Sequence, residues 1–252
     1  MDIYYPEKDT VEKMVEQAIK QFWQTRKAQK EKNSTGTKAD ILGNRGSVTG
    51  GKQLDGFVDI IKFVLLKNKI NEDEIFFNKK LEIPGYYRPT KQWDLLVVKK
   101  ENNDKKKLLA AIEFKSQVGS LGNNFNNRTE EALGSSVDIW TAFREGAFEN
   151  SMSPFVGYLM IVEHSENSLK PRSVKAPHFP VLQEFNNTSY AKRYEIFTRK
   201  LVLERKYTSA GFLMSNEDRG LEGHYVEPSD NLNMEKFLRS LIGHITTELG
   251  DR

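Results

Sequence analysis

The chain has 252 residues, 38% hydrophobic and 29% charged, a globular composition with room for one large domain or two small ones. It has no cysteine, which excludes disulfides and cysteine-ligated zinc and favours a reducing cytoplasm. A net charge of +3 and a pI near 8.8 do not by themselves mark a nucleic-acid binder.

The first residues, MDIYYPEKDTVEK, lack the basic-then-apolar pattern of a signal peptide. The most apolar run, FVDIIKFVLL, contains Asp59 and Lys62 and is too short to span a bilayer, so no membrane association is expected. Val11, Met14, Val15, Ala18, Ile19, Phe22 and Trp23 form a helical stripe over residues 10–30. The polar, Gly-rich stretch NSTGTKADILGNRGSVTGG reads as a loop, and KQLDGFVDIIKFVLLKN as a second helix despite Gly56.

Three strand signals follow: EIFFNKKLEI, ended by Pro84-Gly85, then WDLLVVKK, then LLAAIEFKS. The polar tract ENNDK between the last two reads as a hairpin turn. NRTEEALGSSVDIWTAFREGAF has helical spacing and PFVGYLMIVE reads as a buried strand. After a long loop over 164–187 with three prolines come a helix (YAKRYEIFTRKLVLERKY), a short strand (AGFLMS) and a closing helix (MEKFLRSLIGHITTEL). The expected organisation is a single α/β domain over 1–252, with a core over about 53–163 and a C-terminal extension over 164–252.

The strand LLAAIEFKSQ ends in an acid and a base one residue apart, Glu113 and Lys115. If residues 102–105 form the turn, opposed residues share an index sum of 207, and Asp94 faces Glu113. Directly opposed side chains lie on one face with Cβ atoms ~5 Å apart, and Lys115 shares that face. Two adjacent carboxylates repel unless a cation sits between them. Mg²⁺ suits such a seat, and can polarise a phosphodiester and lower the pKa of a bound water. A neighbouring lysine can orient that water or offset charge on phosphorus. A surface ion pair at a strand end is the plain alternative. The second acid-x-base triplet, Glu204-Arg205-Lys206, falls in a helical pattern where i and i+2 share no face.

Asp94 after Trp93, followed by IEFKSQ, resembles the PD-(D/E)xK nuclease motif, with Trp93 in place of the first proline. VTGGKQLDGF, PTKQWDLLVV, AAIEFKSQVG and GNNFNNRTEEALGS together resemble type II restriction endonucleases of the XhoI type, and the likeness continues through APHFPV, SYAKRYEIF and FLMS. The resemblance implies an α-β-β-β-α-β nuclease core with a mixed sheet flanked by helices. It implies Asp94, Glu113 and Lys115 as catalytic residues, with Asp94, Glu113 and the Phe114 carbonyl as Mg²⁺ ligands. An acid on the first core helix, Asp55 or Asp59, would assist the metal. It also implies a prokaryotic, cytoplasmic homodimer that cuts double-stranded DNA at the palindrome CTCGAG, leaves a 5′ overhang, and works beside a cognate DNA methyltransferase.

For reading DNA, Asn123, Asn124, Asn126 and Arg128 are candidates, because Asn pairs with adenine and Arg with guanine in the major groove. The same segment also fits a turn, with Asn127 and Glu130 as a helix cap. Arg88 and Lys91 are candidates for holding the phosphate near the metal, and Lys170, Arg172 and Lys175 for backbone or bases. GSVTGGKQ (46–53) resembles a P-loop but has Gln53 where Ser or Thr should meet Mg²⁺. His164, His178, His224 and His244 lack metal-ligand spacing. A non-cleaving DNA-binding protein of the same fold, and a repair or recombination nuclease, are the competing readings.

Overall fold

A computed structural model describes residues 3–35, 52–101, 105–148 and 151–250, without the side chains of 32–35. Five helices of more than two turns appear there: α1 (Lys8–Thr35), α2 (Asp55–Lys67), α3 (Leu121–Arg144), α4 (Tyr190–Leu203) and α5 (Met234–Leu249). The strands are β1 (Ile75–Phe77), β2 (Glu82–Pro84), β3 (Thr90–Gln92), β4 (Leu95–Lys100), β5 (Lys106–Gln117), β6 (Phe155–Glu163) and β7 (Ser209–Ser215). Residues 36–51, which hold nearly all of the Gly-rich loop and of the P-loop-like segment, lie outside the described residues, as do 102–104 of the expected turn.

Five strands form one mixed sheet in the order β1-β4-β5-β6-β7. β1, β4 and β5 are antiparallel, whereas β5, β6 and β7 run parallel. Helices cover both faces, so the central strands are apolar on both sides and read as continuous hydrophobic runs. One face packs Leu95, Val97, Ile112, Leu159 and Leu213 against α1, α2 and α5. The other packs Leu96, Ala111, Tyr158, Met160 and Phe212 against α3 and α4. Gly56 has a reason to interrupt α2: a Cβ there would stand 2.8 Å from the Ala18 Cα, so glycine lets α2 cross close to α1.

The expected single strand EIFFNKKLEI is two strands. Asn78 (φ 64°) and Lys80 (φ 57°) both adopt left-handed backbone and break it. The first piece, β1, joins the main sheet, and the second, β2, pairs with β3 in a separate two-stranded ribbon. The helix expected to start near Asn127 starts at Leu121 instead. Gly119 (φ 67°) and Ser120 (φ 45°) turn the chain sharply out of β5, and Leu121 and Phe125 extend the buried stripe back to the first turn. Asn127 and Glu130 are therefore inside the helix, not at its cap. The C-terminal helix pattern also stops early. Glu204-Arg205-Lys206 is not helical but is the turn that closes α4.

The β4–β5 hairpin holds a compensation. Leu95↔Ile112, Leu96↔Ala111 and Val97↔Ala110 keep the index sum of 207, but Val98↔Leu108 does not. The shift is a β-bulge that puts Leu109 and Ala110 on the same face. The turn end, closed by the Glu101 N–H to the Lys105 carbonyl, is thus one step off the expected register, and the bulge restores that register at the functional end.

Candidate active site

Asp94 stands one residue before β4 pairing begins, its N–H donating to the Ile112 carbonyl at 3.2 Å. That places it beside Glu113 in the second half of β5. Asp94 Oδ2 accepts the Phe114 N–H at 2.7 Å, so the aspartate is latched to the main chain between Glu113 and Lys115. Glu113 is only 3% exposed. Its Oε1 meets Lys115 Nζ at 3.0 Å and Lys91 Nζ at 3.3 Å, and its Oε2 accepts the Tyr207 hydroxyl at 2.9 Å. An unpaired carboxylate this deep would cost several kcal/mol, and two ammonium groups offset that.

The charges differ in consequence. Burial would raise the Glu113 carboxyl, but Lys115, Lys91 and the Tyr207 hydrogen bond outweigh burial and hold it below its ordinary value. Burial does raise Asp94, with Lys115 and the Phe114 N–H only partly offsetting it and Glu113 adding to it. Burial would lower Lys115, yet Glu113 and Asp94 together push it above the usual lysine value, so it stays an ammonium. Asp94, Glu113 and Lys115 thus act on one another as a single electrostatic cluster. Among the described residues no group of three or more His, Cys, Asp or Glu side chains has metal-binding geometry.

A cleft of about 460 Å³ opens onto this cluster, lined by Asp94, Lys115 and Phe114, by Gln53 and Asp55 from the α2 side, and by Arg128 from α3. Of the two acids on the first core helix, Asp55 reaches the cleft and Asp59 is exposed outside it. Burial, then Asp59, raises the Asp55 carboxyl. Lys91 is drawn into the cluster, its ammonium 4.5 Å from the Trp93 ring centre. Arg88 is not drawn in. Its Nε donates to the buried Asp138 at 2.7 Å, and Asp138 Oδ1 accepts the Tyr86 and Tyr87 N–H groups. Arg128 lines the cleft while its Nη1 holds Glu131 at 2.7 Å. Asn123 and Asn126 are exposed on the first turns of α3, and Asn124 is half-buried.

Lys170, Arg172 and Lys175 are exposed in the segment that follows β6, whose last residue, Glu163, accepts the Gly119 N–H just past the end of β5. This segment therefore leaves the sheet at the same end as the cluster. Arg172 and Arg193 both lie over the Tyr190 ring, at 5.4 and 5.1 Å. Tyr190 in turn packs against Gly122, where a Cβ would stand 2.4 Å from its hydroxyl. The basic pair is thereby joined to the start of α3.

Two participants were not legible in the sequence. Gln53 passes a hydrogen-bond chain from Arg26 (2.9 Å) to the Ser116 hydroxyl (3.0 Å), next to Lys115. Tyr207 reaches Glu113 across 94 positions, and no local pattern announces it. His244 packs at 5.9 Å from Phe155, in a core setting.

The restriction endonuclease XhoI family model matches residues 30–227. The chain is 56% identical over 207 residues to the type II restriction enzyme BstVI of Geobacillus stearothermophilus, covering 82% of this chain and 92% of that enzyme. It is 43% identical over 189 residues to the type II restriction enzyme XhoI of Xanthomonas vasicola, covering 74% and 73%. It is 44% identical over 170 residues to AbrI of Azospirillum brasilense, covering 67% and 73%. No solved structure matches. Among the described residues no helix is long and apolar enough to cross a membrane. With a family model spanning most of its length and relatives of this identity, the chain belongs to the XhoI family of type II restriction endonucleases, which are site-specific deoxyribonucleases.

Proposed function

We propose that this enzyme hydrolyses phosphodiesters of double-stranded DNA at CTCGAG in a Mg²⁺-dependent reaction, leaving a 5′ overhang and 5′-phosphates. The observation that carries the reading is that Asp94 and Lys115 line one cleft with Glu113 buried against Lys115, both carboxylates interacting with the same ammonium. This arrangement supports assigning the chain to the PD-(D/E)xK superfamily.

The donor set fits Mg²⁺: two hard carboxylates, Asp94 and Glu113, stand close enough that Glu113 helps to raise the Asp94 carboxyl, a repulsion that a divalent cation relieves. Asp94, Glu113 and the Phe114 carbonyl would hold the ion, with Asp55 as a further acid at the cleft wall. When bound, the ion supplies Lewis-acid polarisation of the phosphate and a more acidic water. Lys115, beside both carboxylates, positions or activates the attacking water and offsets charge on the phosphate. Lys91 adds a second cation, and Arg128 steadies a phosphate in the cleft.

Asn123, Asn124 and Asn126 present amide groups on the first turns of α3 for base edges, while Lys170, Arg172 and Lys175 hold the backbone. Arg88, paired with Asp138, shapes the turn before β3 and supports the DNA path indirectly. A palindromic site calls for a two-fold homodimer, and a cytoplasmic host needs a methyltransferase that protects the same palindrome. The test is digestion of phage DNA with Mg²⁺ and sequencing of the fragment ends. Discrete fragments ending within CTCGAG with a 5′ overhang are the expected result. A smear, or intact DNA, removes the reading.

A further inference from the structure

Glu113 is gripped from a direction that neither the hairpin nor the two lysines supply. Its Oε2 accepts the Tyr207 hydroxyl at 2.9 Å, while Oε1 faces Lys91 and Lys115. The two oxygens therefore have separate duties, and the carboxylate has no freedom to rotate without breaking one set of contacts. Tyr207 is 1% exposed, and its ring stands 5.2 Å from Tyr158, the β6 residue in register with Glu113.

The position of Tyr207 is fixed by backbone geometry. α4 ends in a Schellman turn, with the Arg205 N–H on the Val202 carbonyl and the Lys206 N–H on the Leu201 carbonyl. Arg205 takes the left-handed position (φ 53°). The Thr208 N–H then bonds the Val156 carbonyl at 2.8 Å and starts β7. Tyr207 is thus clamped between a helix end and a core strand. Its hydroxyl also lies 3.1 Å from the Ala132 carbonyl of α3. One proton serves one acceptor fully, and the charged carboxylate is the stronger acceptor.

We infer that Tyr207 is a positioning residue that sets the Glu113 carboxylate for divalent-cation binding, acting on metal affinity and leaving DNA affinity alone. The inference rests on the proposed reading of Glu113 as a metal ligand. Partners that orient a metal ligand typically change metal affinity or activity by about 10–100-fold when removed.

The test uses Tyr207→Phe in the full chain, with Mn²⁺ as the probe. Mn²⁺ binding is titrated by electron paramagnetic resonance, and single-turnover cleavage of a CTCGAG duplex is measured against Mg²⁺ concentration. The expected result is Mn²⁺ affinity weakened by about 10–100-fold and a parallel rise in the Mg²⁺ needed for half-maximal rate. Saturating Mg²⁺ restores the rate, and duplex affinity in chelator is unchanged. Equal Mn²⁺ affinity in variant and wild type overturns the inference while leaving Glu113 as a ligand. A rate deficit that no Mg²⁺ concentration repairs overturns it too, since that marks a structural role. A wild-type enzyme that binds no Mn²⁺ removes the metal reading itself.

Discussion

Lys91 Nζ lies 3.3 Å from Glu113 Oε1, the same oxygen that Lys115 reaches at 3.0 Å. Lys91 arrives from the small β2–β3 ribbon, and its side chain is only 11% exposed. With Asp94 beside Glu113, the two ammonium groups balance the two carboxylates. Once a divalent ion competes for Glu113, Lys91 is the cation free to turn toward phosphate. Lys91→Ala is expected to slow single-turnover cleavage by tenfold or more while specific-duplex affinity stays within a few-fold. Cleavage at the wild-type rate would show that the ribbon only buttresses the fold.

Asp138 is 2% exposed and accepts hydrogen bonds from Tyr86 N–H, Tyr87 N–H and Arg88 Nε. Asp138→Ala removes the acceptor these donors share, and with Tyr86, Tyr87 and Arg88 open to water it is expected to cost about 1–2 kcal/mol of stability. Asp138→Asn, which keeps an acceptor oxygen, should cost less. Burial alone would raise this carboxyl, but Arg88 and the two N–H groups hold it below its ordinary value. A depressed folded value means that the stabilisation is present above the usual carboxylate range and lost as pH falls through the depressed value. The gap between wild type and Asp138→Asn should therefore narrow on acidification, as read by denaturant titration at several pH values. A gap independent of pH would contradict this role.

Glu227 shows the opposite sign. Burial raises its carboxyl, with Met234 N–H partly offsetting and Glu12 and Glu235 adding to the rise. A raised folded value favours the protonated form, so wild-type stability falls as pH rises through the carboxylate range and up to that raised value. Glu227→Gln retains an acceptor for Met234 N–H, which starts α5. It is expected to melt above wild type at pH 8 and to match it at acidic pH. A variant less stable than wild type at pH 8 would assign the charge a structural partner.

The parts of the fold legible in the sequence are those with strong local periodicity. The stripe from Val11 to Trp23, the apolar β6 and the helix from Met234 to Leu249 all appear where the pattern puts them. The hairpin placed Asp94 beside Glu113 because opposed residues share a face. That reading met the structure only because a bulge at Leu109 cancels a one-residue offset at the turn, which no pattern of side chains encodes. The start of α3 was hidden by asparagines that suit turns and exposed helix faces alike. β1 and β2 looked like one strand because the left-handed Asn78 and Lys80 interrupt the backbone without interrupting the composition. Tyr207 and Gln53 were out of reach because their contacts with Glu113 and Ser116 are made by tertiary packing.

The most direct measurement is cleavage and binding by Glu113→Gln. The substitution keeps the shape and an acceptor for Tyr207 but removes the charge that Lys91 and Lys115 surround. Single-turnover digestion of a CTCGAG duplex with Mg²⁺ should be abolished, with specific affinity in the gel-shift assay preserved. Cutting by Glu113→Gln at the wild-type rate would mean that the carboxylate is not part of the reaction centre.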